Sequence, residues 1–361
     1  MKLFENFMRL ILNFKKIQKT QLVTEPFQTV CFFSNTALGD TIFNTPVFRV
    51  FKQNFPHVKV VALLNPSTAS LFKTDPNIDE ILLYDGKKSG FLDILKKLKK
   101  LSPDIVFILH SNEPQATPLA VLSGAKYLFK LPNLNNKFSS FHSNVPEPYG
   151  DDRYVVLNRL EQLKFIGIQS RDTRLNLYLE ASDFTNVDEA LKGYESRKII
   201  GFQMGASTIS RQWFIDKWEK LAKLVLQDRN AIIVLTGSPA ERAMTKQLEE
   251  RINDPSLLNL AGKFNIREAA ALISRLNILI TPDTGPLHVA AALKTPTIGL
   301  FAVASPINSN PDFDIDIHKF IKKPRTCSPC VGKKCKFQKC MLQIDEKEVY
   351  KTFQEILYRK G

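Results

Sequence analysis

The 361-residue sequence predicts an α/β protein built as two doubly wound halves with parallel sheets. Three observations carry that expectation. Short apolar runs alternate with longer segments of helical periodicity. The alternation runs twice, separated by a polar stretch. Polar loops of unusual content follow several of the apolar runs, where open parallel sheets receive ligands. A hydrophobic fraction of 44% and a charged fraction of 24% are those of a globular chain long enough for two cores.

Taken in order, residues 1–24 form a basic amphipathic segment. Leu3, Phe4, Phe7, Leu10, Ile11 and Phe14 recur at helical spacing, with Lys15, Lys16 and Lys19 behind them. Glu5, Asn6, Arg9 and Asn13 interrupt the apolar residues and no small-residue cleavage site follows, which argues against a signal peptide. Such a helix either lies on an anionic membrane or packs on the protein's own surface.

The first half, 25–180, opens with the strand TVCFFS (29–34) and the helix TPVFRVFKQNF. VKVVALL and EILLYD follow as strands, LDILKKLKKL as a helix and DIVFIL as a strand. Across 175–197 the chain is polar and lacks a strand cycle, and 181–197 is expected to connect the domains.

The second half, 198–344, repeats the rhythm. KIIGFQM, AIIVLTG, NILIT and PTIGLF read as strands; WFIDKWEKLAKLVLQ, AERAMTKQLEERI, IREAAALISRL and GPLHVAAAL read as helices. Trp213 and Trp218 fit packing better than base stacking. Beyond 302 the chain turns irregular, and 345–361 is expected to be a helix that packs back on the first domain.

No run approaches the ~20 apolar residues of a membrane-spanning helix. The net charge of +14 and pI of 9.4 predict anionic partners: nucleotides, nucleic acid or an acidic lipid surface. Cys31 sits in an apolar run and reads as a small buried residue. Cys327, Cys330, Cys335 and Cys340 crowd into TCSPCVGKKCKFQKC. Four thiolates at this spacing could hold a structural zinc, or form a loop with free thiols or a disulfide. Without a secretion signal, a reducing cytoplasm is the expected compartment.

Four loops carry candidate chemistry. In SNTALGDTIFNTP, Gly39 permits a tight backbone and Asp40 and Thr41 stand at a helix entrance, where Asp40 serves either as an N-cap or as a functional acid. MGASTISRQW offers small residues, the hydroxyls of Ser207, Thr208 and Ser210, and the cation Arg211, a combination suited to phosphate. It lacks the Gly-Lys-Ser/Thr ending of a P-loop, which excludes that NTPase class. In LTGSPAER, Ser238 and Glu241 have capping-box spacing, and Glu241 could instead accept hydrogen bonds from a ribose. In TPDTGPLHV, Thr284 and Gly285 open a helix whose free N–H groups suit a pyrophosphate. Asp283 would repel phosphate and fits a sugar hydroxyl better, and His288 stands one turn into the helix.

These four stretches, ALGDTIFNTPVFRVFKQNFP, GASTISRQWFIDKWEKL, LTGSPAER and DTGPLHVAAALKTPTIGLF, occur in the order of the signatures of glycosyltransferase family 9, the lipopolysaccharide heptosyltransferases, which the chain resembles over about residues 28–302. The resemblance implies a GT-B fold, two Rossmann-like domains with parallel sheets facing across a cleft. It implies inverting transfer of heptose from ADP-heptose to the inner core of lipopolysaccharide or lipooligosaccharide, with no cofactor and no catalytic metal. Asp40 matches the family's general base, with Gly39 and Thr41 in the acceptor-side loop. Arg211 falls where the family commonly has lysine before an aromatic residue, and would stabilise charge on the departing diphosphate. Ser207, Thr208, Thr284, Gly285 and His288 would hold that diphosphate, Asp283 the heptose and Glu241 the neighbourhood of the ribose. Two departures stand out. Arginine at 211 changes reach and geometry, and Ala206 replaces a hydroxyl, leaving more of the phosphate to Ser207.

The implied setting is cytoplasmic, peripheral at the inner face of the cytoplasmic membrane, with a lipid A-core acceptor. A same-fold transferase using another nucleotide-sugar or acceptor is the alternative. A nucleic-acid-binding role fits less well, because the lysines are scattered or lie on helices without an aromatic strand platform.

Overall fold

The computed structural model describes residues 2–15, 17–131, 137–144 and 152–358. The chain divides into two compact units, Met1–Tyr178 and Leu179–Gly361.

The first unit runs α1 (Lys2–Leu12), β1 (Thr29–Ser34), α2 (Leu38–Ile42), α3 (Thr45–Asn54), β2 (Lys59–Leu64), β3 (Glu80–Leu83), α4 (Phe91–Leu101), β4 (Ile105–His110), α5 (Ala116–Leu122), β5 (Tyr127–Lys130) and α6 (Val155–Leu160). Its five parallel strands lie in the order β3-β2-β1-β4-β5. Successive side chains of a strand leave on opposite faces, and here both faces are covered. Cys31 and Phe33 of β1 enter a core with Met8 and Leu12 of α1 and Phe91 and Ile94 of α4. Phe32, between them, meets Phe48 and Phe51 of α3 and stacks on Phe107 of β4 at 5.3 Å. That two-sided burial is why TVCFFS is continuously apolar instead of alternating. Cys31 is fully buried, and burial pushes its thiol pKa up.

The second unit runs α7 (Thr185–Ala190), β6 (Lys198–Gln203), α8 (Ile215–Val225), β7 (Ala231–Thr236), α9 (Arg242–Ile252), β8 (Leu257–Asn259), α10 (Ile266–Arg275), β9 (Ile278–Pro282), α11 (Gly285–Ala292), β10 (Thr297–Phe301), α12 (Pro306–Ser309), β11 (His318–Lys322), α13 (Lys339–Leu342) and α14 (Glu346–Leu357). Its six parallel strands follow β11-β10-β9-β6-β7-β8. Trp213 and Trp218 are buried edge-to-face at 5.1 Å, packing residues as the sequence suggested. α10 starts at a capping box in which Asn265 accepts from Arg267 and Glu268 N–H groups while Glu268 accepts from the Asn265 N–H.

Three features add detail to the domain layout. Residues 181–197 are not a bare connection: Asp183 forms a buried ion pair with Arg267 of α10 (2.6 Å), and Asp188 of α7 pairs with Arg275 (2.8 Å). The terminal helix α14 packs on α8, where Val349 and Phe353 complete the second unit's core. Its apolar face is thus used in its own unit. The irregular tail also holds an edge strand, β11, whose five residues are too short and polar to announce themselves.

In each sheet the strand order departs in both directions from the first strand of the unit. The crevices where α/β sheets bind ligands therefore lie beyond the carboxyl ends of β1 and β4 in one unit, and of β6 and β9 in the other.

Candidate functional site

At the first crevice, the chain leaves β1 and enters the five-residue helix α2. The N-cap is Ala37, without a side-chain cap bond, so Asp40 stands inside the first turn and is free of the capping role that the sequence allowed. Its carboxylate is partly exposed (29%) and held on several sides. Arg159 of α6 brings Nη2 to 3.2 Å from Asp40 Oδ1, while its Nη1 donates to the Asp40 carbonyl and to Asn44 Oδ1 (2.7 Å). His110, at the end of β4, places Nε2 3.5 Å from the same Oδ1. Thr36 Oγ1 bridges the two, 2.6 Å from His110 Nδ1 and 3.5 Å from Asp40 Oδ2. Asn44 is fixed in turn by donating to Ser34 Oγ (2.6 Å). Burial draws the pKa of Arg159 down, and the Asp40 charge opposes that shift.

This arrangement divides the carboxylate. Oδ1 faces the two basic groups, while among the described residues Oδ2 has the long Thr36 contact, leaving it acceptor capacity for a proton. Thr41 is fully buried, and its hydroxyl donates to the Ser34 carbonyl (3.1 Å). That bond ties α2 to β1. Gly39 is the second residue of α2, and its carbonyl accepts from Phe43 N–H at 3.0 Å.

At the second crevice, Arg211 ends a 3-10 turn, Ile209–Arg211, that follows β6. Its Nη1 donates to the Asp283 carbonyl (3.0 Å) and its Nη2 lies 3.3 Å from Asp283 Oδ2. Asp283, just after β9, also accepts from Ser309 Oγ of α12 (3.2 Å). Thr284 is the N-cap of α11 in extended conformation and makes no side-chain cap bond; its hydroxyl lies 3.2 Å from that of Thr281. The helix start is thus left without the usual side-chain partner. His288 is buried one turn into α11. Ser207 is exposed and Thr208 half-buried, with its hydroxyl 3.1 Å from Ser210 Oγ. The structure therefore brings Arg211, Asp283 and the start of α11 together, with Ser207 and Thr208 on the adjoining loop.

Glu241 makes the capping box that its spacing with Ser238 allowed. Oε2 accepts from the Ser238 N–H (2.6 Å) and hydroxyl (2.9 Å), and Oε1 accepts from Gln203 Nε2 (3.2 Å). A Cβ at Gly205 would fall 1.4 Å from Glu241 Oε1. A side chain at 205 would displace this carboxylate, a reason for glycine different from the approach of phosphate to backbone.

Sequence reasoning missed three residues. Arg159 lies in VVLNRL, where a cation among residues with helical apolar spacing was the available signal. His110 was the polar end of an apolar strand. Lys322, at the end of β11, donates to the carbonyls of Ala302 and Ala304 beyond β10, and burial lowers its pKa while nearby Asp283 counters. Nothing local in HKFIK marked it.

The four clustered cysteines are free thiols. Cys327 and Cys340 Sγ each lie 3.6 Å from Thr326 Oγ1, and Cys330 Sγ accepts from the Gly332 N–H at 3.4 Å. Among the described residues no three His, Cys, Asp or Glu side chains are grouped as they would be around a metal ion. The segment has another task. Its turn at Gly332–Lys334 packs on the turn carrying Arg211, and Gln338 Nε2 donates to the Gln212 carbonyl (2.8 Å).

The model of the family described as glycosyltransferase family 9 (heptosyltransferase) matches residues 151–341. The lipopolysaccharide core heptosyltransferase OpsX of Haemophilus influenzae is 25% identical over 308 residues, covering 82% of this chain and 85% of that protein. The structure of a family 9 glycosyl transferase from Veillonella parvula superposes with a TM-score of 0.79 at 20% identity, covering 94% of this chain and all of that one. Escherichia coli ADP-heptose lps heptosyltransferase II gives a TM-score of 0.73 at 16% identity, covering 92% and 99%. The fold shared with these structures is GT-B.

Proposed function

The chain belongs to glycosyltransferase family 9, and from that premise we propose that it transfers heptose from ADP-heptose to the inner core of lipopolysaccharide or lipooligosaccharide, with inversion at the anomeric carbon. Its relatives include a lipopolysaccharide core heptosyltransferase, a lipooligosaccharide heptosyltransferase 2 and a lipopolysaccharide heptosyltransferase 3. The observation that carries the mechanism is the treatment of Asp40: a carboxylate at a strand-order reversal, released from capping and oriented by Arg159 so that one oxygen stays available.

In this mechanism Asp40 Oδ2 accepts the proton of the acceptor hydroxyl as that oxygen bonds to the anomeric carbon. The bond from that carbon to the diphosphate oxygen breaks, and ADP departs with the electron pair. Arg211 and the N–H groups at the start of α11 stabilise the charge that grows on the leaving diphosphate. Asp283, already engaged by Arg211 and Ser309, presents its carboxylate to heptose hydroxyls. Ser207 and Thr208 contribute hydroxyl contacts to the diphosphate, and His288 supports it from the first turn of the helix. Glu241 keeps acceptor capacity for the ribose in addition to its capping role. The reaction is placed at the inner face of the cytoplasmic membrane, where a lipid-anchored acceptor is presented.

The test offers the purified enzyme a panel of nucleotide-sugars and core acceptors of increasing length, with products identified by mass spectrometry. ADP-heptose with an inner-core acceptor is expected to give the only efficient product; efficient transfer from another donor alone would reassign the substrate. Asp40→Asn is expected to lower turnover by about a thousandfold, within the usual range for loss of a general base, with ADP affinity nearly unchanged. Retained turnover would remove Asp40 from the base role.

A further inference from the structure

Helix α1 has two apolar faces, and the protein covers one of them. Met8 and Leu12 are buried in the first unit's core, Ile11 packs against it, and Phe4 meets Phe91 of α4 edge-to-face at 5.6 Å. Phe7, Leu10 and the following Phe14 are 56%, 62% and 83% exposed. Their spacing of three and four residues sets them in one stripe beside the covered face. The alternatives of lying on a membrane or packing on the protein thus stop being exclusive: the helix is anchored by one face and displays the other.

We propose that this stripe docks the protein onto an anionic lipid surface. Charge supports lipid as the occupant. Arg9 and Lys15, next in sequence to Leu10 and Phe14, are exposed, and Lys88 sits 5.0 Å from the Phe4 ring. The neighbouring α4 exposes Lys96, Lys97, Lys99 and Lys100, together with Leu92. The acids on these two helices are Glu5, paired with Lys137 at 2.9 Å, and the exposed Asp93. A second copy would bring a +14 chain against another, and three side chains of this kind cover roughly 300–500 Å², short of the ~800 Å² per partner of a stable protein interface. Insertion of a few apolar side chains among acidic headgroups needs no such area, because cationic neighbours add attraction. No helix among the described residues is long and apolar enough to cross a membrane, so the contact is interfacial.

The test uses the full chain and needs no catalysis, so it can fail or succeed independently of the heptosyltransferase reading. Co-sedimentation is measured with vesicles of phosphatidylcholine alone and with about one third phosphatidylglycerol. The wild type is expected to bind the anionic vesicles, more weakly as salt rises, and hardly to bind the neutral ones. The triple variant Phe7→Ser/Leu10→Ser/Phe14→Ser is expected to bind about tenfold or more weakly, with an unchanged thermal melt because all three side chains are exposed. Arg9→Glu/Lys15→Glu, a second variant that leaves the apolar residues in place, should weaken binding to anionic vesicles as well. Equal binding by wild type and triple variant overturns the proposal. So does a wild-type dimer in ultracentrifugation that the triple variant abolishes without any vesicle binding, which would assign the stripe to a second copy.

Discussion

Arg159 is 1% exposed, and its guanidinium is spent on Asp40 and Asn44, 119 and 115 residues away in the chain. Removing it strands a carboxylate and an amide that it now satisfies. Arg159→Met is therefore expected to destabilise the first unit by about 3 kcal/mol, the scale of breaking a buried pair from one side, as read by urea unfolding. Turnover should fall more than donor affinity, because the lost contact orients the base. Arg159→Lys keeps the charge but not the fork and should fall between. The Gly205–Glu241 contact makes a second prediction at this scale. Gly205→Ala forces the Glu241 carboxylate out of its capping box and should cost about 1–3 kcal/mol. Glu241→Ala made in the same chain should remove most of the added cost of Gly205→Ala, since the clash is between these two residues. Additive losses in the double variant would show that the contact does not matter.

Among elements, the segment at residues 137–144 braces β5. Ser143 Oγ accepts from the Leu128 N–H (2.8 Å), and His142 Nε2 lies 3.1 Å from Thr117 Oγ1 of α5. Burial, aided by the charges of Lys130 and Lys19, lowers the His142 pKa from 6.5 to about 3. The folded protein therefore holds this imidazole neutral while the unfolded chain protonates it. The stability tied to the neutral form is complete above about 6.5 and is lost as pH falls toward about 3. At about 1.4 kcal/mol per pH unit, wild type should lose about 2 kcal/mol between pH 7 and pH 5 that His142→Gln does not lose. Urea unfolding at the two pH values checks this; parallel losses would mean that another group titrates. The short elements show a related economy. α2 has five residues and no side-chain cap, and what holds it is Thr41 on Ser34 and Arg159 on its carbonyl. Propensity alone would not keep so short a helix.

At the scale of the whole molecule, periodicity announced most of the regular structure. β1, β2, β4, β6, β7, β9 and β10 lie where apolar runs of strand length predicted them, because a strand covered on both faces must be apolar throughout. Helices such as α8, α10 and α14 were legible from their spacing, and the four polar loops from their position after strands. The local sequence could not tell which carboxylate would cap and which would stay available. Asp40 could locally be read as an N-cap or a functional acid and does not cap; Glu241 could be read as a capping residue or a ribose acceptor and does cap. Nor could it place α14, since an amphipathic helix records that it has a partner but not where. The sequence by itself determined the α/β class, the family and the loops that carry the polar residues, because each is written in spacings of a few residues. Only the tertiary structure decided the strand orders that set β1 beside β4 and β6 beside β9, the Arg159 hold on Asp40, the Arg211–Asp283 pair and the placement of Lys322. Those depend on contacts between residues tens to more than a hundred positions apart, and on burial that exists only once the sheets have formed.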